Sequence, residues 1–119
     1  MPYDRDILVR VIVKKTAAHY SYKSVRISKT DFPVLTCAAA LTQDGVQAAV
    51  GARPAKAALV KDAEQLATLP MTAEKAQAFA EYAAGLLPTE TNPRGSAAYR
   101  THLIKVLTAR CLTELGGKA

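Results

Sequence analysis

The chain is predicted to be an α+β domain, with a small, mainly antiparallel sheet of three to four strands followed by about three helices packed on one face. Two observations lead there. Up to about residue 54 the apolar residues follow a strand-like pattern, and beyond it they recur at three-to-four spacing. The organisation changes only once, with no internal repeat and no low-complexity linker. The 119 residues are half apolar with mean hydropathy close to zero, which suits one domain with a real core spanning 1–119.

Each element has its own local reason. Residues 6–15 read DILVRVIVKK, a mostly β-branched run that favours a first strand. In Tyr20–Ile27, Tyr20, Tyr22, Ser24 and Arg26 alternate with Ser21, Lys23, Val25 and Ile27, giving a second strand with two unlike faces. Ser28–Asp31 is a polar loop, and Pro33 can open a strand but not sit within one. Val34–Thr42 reads as a long apolar strand buried on both faces. Gln43-Asp44-Gly45 is a turn signal, so Phe32–Val50 forms a hairpin. Arg53-Pro54 breaks the sheet pattern, and Ala57–Val60 suits a short edge strand.

The helices are announced by their caps. Asp62 is placed to cap a short helix over Asp62–Thr68, and Thr72 to cap a second over Ala73–Leu86. Ala76, Phe79, Ala80, Ala83 and Leu87 form the inner face of that second helix. Ser96 caps a third over Ala97–Leu115, with Tyr99, Leu103, Val106, Leu107, Arg110 and Cys111 as its inner stripe. Gly116-Gly117 is read as its stop.

Composition excludes several classes. The apolar runs are too short to span a membrane. No cleavage pattern follows Asp4, Arg5 and Asp6, so no signal peptide is expected. Cys37 and Cys111 are too few for a disulfide framework and sit in apolar surroundings, which suits buried thiols in a cytoplasmic protein. His19 and His102 lack further ligands at metal-binding spacing, so no metal site is expected. The glycines do not form a phosphate-binding fingerprint, and no serine-nucleophile signature occurs. The net charge of +6 is lopsided: residues 1–60 carry nine Lys/Arg against four Asp/Glu. A basic first half suits an anionic partner, whether protein, phosphorylated cofactor or nucleic acid.

Two segments carry more information. Tyr22–Pro33 joins a basic strand to a buried one through a polar loop, and its plain reading is a solvated hairpin with surface lysines. Asn92–Arg100 combines a rigid Pro93, a permissive Gly95, the cap Ser96 and the helix start Tyr99-Arg100; its plain reading is architectural.

These segments, with Arg5–Val13 and Gly51-Ala52-Arg53-Pro54, run in an order that resembles the C-terminal domain of the FAD-binding subunit of molybdenum hydroxylases, the xanthine dehydrogenase and carbon monoxide dehydrogenase flavoprotein family. Arg94-Gly95-Ser96-x-x-Tyr99-Arg100 is the most specific stretch, and the resemblance covers nearly all of the chain. One departure is visible. The family often has an acidic residue shortly before Arg-Gly-Ser, where this chain reads Glu90-Thr91-Asn92-Pro93, so an ion pair at Arg94 is not assured.

The resemblance implies an oxidoreductase component that helps position FAD for electron transfer from 2Fe–2S clusters to an acceptor such as NAD. Two upstream domains would hold most of the FAD, and the clusters and molybdenum cofactor would sit on partner subunits. Matched residue by residue, the flavin-facing lysine is Lys23, preceded by Tyr22, with Ser24–Asp31 as an adjoining loop and Phe32 approaching the ring. Arg26 and Asp31 are read as loop structure. On its own the domain would be inactive. The rival readings are a small basic nucleic-acid-binding module, disfavoured by few aromatics and no basic helix, and a stand-alone oligomerisation domain or homodimer formed through Ala-rich helix faces.

Overall fold

A computed structural model describes residues 7–13, 19–42, 45–54, 56–62, 65–67 and 71–118. Four strands form one antiparallel sheet in the order β1-β2-β3-β4: β1 (His19–Arg26), β2 (Pro33–Thr42), β3 (Gly45–Gly51) and β4 (Ala58–Lys61). Two helices follow, α1 (Ala73–Leu86) and α2 (Ala97–Lys118). The chain is therefore α+β, with every strand preceding every helix. Gly45 takes φ 114° at the β2–β3 turn, a conformation that glycine adopts without penalty.

The register sorts the sheet into two faces. Ser21, Lys23 and Val25 lie opposite Ala39, Cys37 and Leu35, and these in turn share a face with Ala48, Val50 and Val60. Leu35, Cys37, Ala39, Ala48, Val50 and Val60 are all buried, and α2 lies against β1 and β2 on this side. α1 packs on α2 through Ala76, Phe79, Ala80 and Ala83, as its spacing predicts. Each large aliphatic or Phe buried in this way contributes about 1.5–3 kcal/mol. The opposite face is open: Tyr22, Ala38, Ala49 and Leu59 form one cross-strand row, with Tyr22 and Leu59 more than half exposed. β2 is thus fully covered on one face only, whereas its apolar run suggested burial on both.

Several expectations are corrected. Among the described residues there are two helices rather than three. Within the expected helix over Asp62–Thr68, residues 65–67 form a turn, and 63, 64 and 68 lie outside the described residues. Asp62 still behaves as a cap, its two carboxylate oxygens accepting from the Leu66 and Ala67 N–H groups at 2.7 and 2.8 Å. The expected strand over 6–15 is not formed by residues 7–13, which join no strand; residues 6, 14 and 15 lie outside the described set. Propensity alone does not make a strand, and residues 7–13 pair with neither edge of the sheet, β1 or β4.

The inner stripe of α2 is Arg100, Leu103, Ile104, Leu107, Thr108, Cys111, Leu112 and Leu115. Tyr99 and Arg110 face out instead. Nor do the glycines end α2, which continues to Lys118. A Cβ on Gly116 would lie 2.7 Å from Met71 Cβ, so the position serves close packing rather than termination. Gly116→Ala should therefore destabilise by about 1–3 kcal/mol, against the gain near 1 kcal/mol that helix propensity alone would give. The midpoint of urea unfolding checks the sign.

The largest fully buried side chain is Arg100, with no exposed surface. Its Nε donates to Val34 O at 2.9 Å, Nη1 to Glu90 O and Gly95 O at 2.7 Å each, and Nη2 to Asn92 Oδ1 at 2.7 Å. Arg53 does similar work nearby, donating to Lys56 O and Pro88 O. The architectural reading of the Asn92–Arg100 segment holds at Ser96, whose Oγ accepts from Tyr99 N–H, whereas Gly95 takes no positive φ and instead allows close packing, a Cβ there lying 3.0 Å from Val34 Cγ1. Arg100→Leu takes a donor from Val34 O, Glu90 O, Gly95 O and Asn92 Oδ1 and should cost about 3 kcal/mol, measurable as a fall in thermal midpoint with the fold retained by circular dichroism.

Candidate functional site

The candidate residues occupy two neighbouring places on the β1 side of the sheet. At the first, strand alternation sends Tyr22 and Lys23 to opposite faces of β1, the edge strand. Tyr22 stands on the open face. Lys23 turns toward α2, where its Nζ lies 2.8 Å from Glu114 Oε2, with both side chains partly exposed. The hydrogen bond from Lys23 to Glu114, reinforced by their opposite charges, raises the lysine's pKa above its ordinary value and keeps it cationic. Beside the pair is an open groove of about 500 Å³, walled by Ala76 and Ala109 and rimmed by Arg110, Thr113 and Glu114.

Beneath this edge the two cysteines meet. Cys37 Sγ is 3.4 Å from Thr108 Oγ1, and Cys111 Sγ is 3.8 Å from Cys37 O. Contact with Cys111 and burial push the Cys37 thiol up, whereas the hydrogen bond from Cys37 holds Cys111 lower. Both are free thiols, as the sequence suggests. Among the described residues, no group of three His, Cys, Asp or Glu could hold a metal ion.

The second place is the turn between β1 and β2. Arg26 Nη1 donates to Asp31 O at 2.8 Å, and Asp31 Oδ1 accepts from Phe32 N–H. Arg26, at the end of β1, and Asp31 thus hold the backbone of this turn. Asp31 also forms an ion pair with Arg94 at 2.9 Å, and the Arg94 guanidinium lies 5.1 Å from the centre of the Phe32 ring. Arg94 therefore does have an acid, supplied by the β1–β2 turn from 63 residues away rather than by the preceding loop. Single-sequence reading could not see it, because only the fold brings those segments together. Phe32 itself is 73% exposed, which removes it from the core.

The structure does not gather Lys23, Tyr22 and Phe32 into one cluster. No hydrogen bond or ion pair among the described residues links Lys23 to the 28–32 turn, and about three strand residues separate the two places, roughly 10 Å. What they share is the β1 edge. Glu114 and Arg94 are the residues that sequence reading left out of the site.

Residues 20–115 match the model of the CO dehydrogenase flavoprotein C-terminal domain, and the chain belongs to that family. None of the curated proteins shows significant sequence similarity to it. Among solved structures it is similar to the carbon monoxide dehydrogenase from Hydrogenophaga pseudoflava that lacks the Mo-pyranopterin moiety of the molybdenum cofactor. That likeness has 20% identity and a TM-score of 0.74, over 89% of this chain and 39% of that one. Quinoline 2-oxidoreductase from Pseudomonas putida 86 is similar at 23% identity, over 87% of this chain and 39% of that one, with a TM-score of 0.70. A cyanide-inactivated Cu,Mo-CO dehydrogenase is similar at 18% identity, over 90% and 40% of the two chains, with a TM-score of 0.73. The chain thus spans about two-fifths of the length of these structures, which share its fold.

The turn gives a pH test. Arg94, and then the Phe32 N–H, hold the Asp31 carboxyl below the usual carboxylate range. Its contribution to stability is present above the ordinary, unfolded pKa and is lost as pH falls through the lowered folded value. Arg94→Gln should move the Asp31 carboxyl chemical-shift midpoint back toward the ordinary range. A midpoint that does not move would discount the ion pair.

Proposed function

We propose that this chain is the C-terminal domain of the FAD-binding subunit of a molybdenum hydroxylase, of the xanthine dehydrogenase and carbon monoxide dehydrogenase type, and that it acts with upstream FAD-binding domains. The observation that carries this reading is the family match over residues 20–115, joined to a fold shared with carbon monoxide dehydrogenase and quinoline oxidoreductase structures. FAD, when bound, supplies the electron relay between 2Fe–2S clusters and a terminal acceptor such as NAD. The clusters and molybdenum cofactor belong to partner subunits.

The residues present fit a contributing role toward the flavin rather than sole custody of it. The groove beside Lys23 is open rather than enclosing, and Tyr22 and Phe32 offer exposed aromatic surface. Because β1 is an edge strand, a ring set against that edge can meet Tyr22 from one face and Lys23 from the other, with Phe32 at the end of the adjoining turn. A lysine cation beside the polar rim of the ring stabilises negative charge there, and so favours the reduced form. Glu114 tempers that cation and holds it in place.

Two measurements test the reading. Titrating FAD against the isolated chain should give weak binding or none; micromolar binding with a perturbed flavin spectrum would overturn the contributing role. In the assembled enzyme, Lys23→Ala should lower the flavin potential and slow reoxidation while substrate oxidation at molybdenum stays intact, and Glu114→Gln should shift the potential the other way. An unchanged potential in both variants removes Lys23 from the flavin's surroundings.

A further inference from the structure

Residues Ile7–Val13 read Ile-Leu-Val-Arg-Val-Ile-Val, and their six aliphatic side chains are each 69–85% exposed. A contiguous apolar stretch of this kind on a folded domain marks a surface that something else covers. Five of the seven residues are β-branched, which favours an extended strand over a helix. In an extended strand, Ile7, Val9, Val11 and Val13 point one way, and Leu8, Arg10 and Ile12 the other. Both faces are therefore apolar apart from Arg10, the pattern of a strand with packed layers on each side.

That pattern decides among partners. The sheet of this domain cannot serve, because one of its faces is open at both margins, where Tyr22 on β1 and Leu59 on β4 are more than half exposed. A strand added to either edge would leave one of its apolar faces in water. A second copy of the chain offers the same two edges and fails for the same reason. The family match begins at residue 20, beyond this segment, and the similar structures have about three-fifths of their length outside the region that this chain covers.

From this we infer that Ile7–Val13 is a β-strand donated to a sheet of the FAD-holding portion of the flavoprotein, an edge roofed and floored by apolar layers, with an acid or free carbonyl facing Arg10. The inference rests on the proposed function and adds the contact by which the two portions are joined. The donated strand ties this domain to the flavin-holding part through backbone hydrogen bonds and aliphatic burial, ahead of any contact made by β1.

The test uses the full chain, alone and assembled with the FAD-holding portion of its flavoprotein. Backbone amide hydrogen exchange over residues 8–13 should be fast in the isolated chain and slowed at least about 100-fold in the assembly, since ladder amides open only with the surrounding structure. Val11→Asp and Ile12→Asp, one on each face, should each weaken assembly at least about tenfold, as a charge buried in an apolar site does. The unfolding midpoint of the isolated chain should stay unchanged in both variants, which separates lost docking from lost folding. If assembly occurs while these amides stay unprotected and both variants bind normally, the donated strand is overturned and the proposed function stands. If the unmodified chain forms no flavin-containing assembly, both fall. A dimer of the isolated chain that Val11→Asp dissolves would overturn the inference in favour of a second copy.

Discussion

The arrangement depends on one guanidinium buried without an acid. All four acceptors of Arg100 are neutral oxygens, contributed by β2, the loop before α2 and the first residues leading into that helix. A cation in such a place is tolerable only when its donors are matched, because an unpaired charge in the interior is very costly. Meeting that requirement fixes where the 88–96 loop sits against β2. Once the loop is set, Arg94 is carried out to the surface at the point where Asp31 and Phe32 arrive on the β1–β2 turn. The interior charge therefore fixes the position of the outer one.

Much of the fold was legible in local chemistry. Thr72 and Ser96 cap the helices they were expected to cap, and Gly45 marks the turn between the two central strands. The inner face of α1 follows from spacing alone. What could not be read depended on distant partners. Residues 7–13 have strand propensity, yet among the described residues they pair with neither β1 nor β4. The stripe of α2 is legible at Leu103, Leu107 and Cys111, but not at Arg100 and Thr108, which are buried beside partners on other elements. Gly116 was read as a stop because its neighbour Met71, forty-five residues earlier, has no trace in local sequence.

The candidate site shows the same division. Tyr22, Lys23 and Phe32 could be picked by resemblance, and their strand and loop positions by pattern. Their orientation could not, since it follows from which face α2 covers. Coverage of that face turns Lys23 toward Glu114 and leaves Tyr22 outside, so the lysine is held by a carboxylate even before a flavin is considered. The candidate residues are thus spread along an edge strand, on a chain that spans about two-fifths of the similar structures.

The row Tyr22–Ala38–Ala49–Leu59 has a further consequence. Its middle is made of methyl groups and its ends of larger side chains, so at this row the sheet presents a short, shallow trough, flanked on the same face by Thr36 and Gln47. A neighbouring backbone laid in that trough could come closer to these strands than it could over leucines or valines. Enlarging Ala38 or Ala49 would then act as a wedge, pushing the neighbour away while leaving the domain's own interior, on the other side of the sheet, undisturbed.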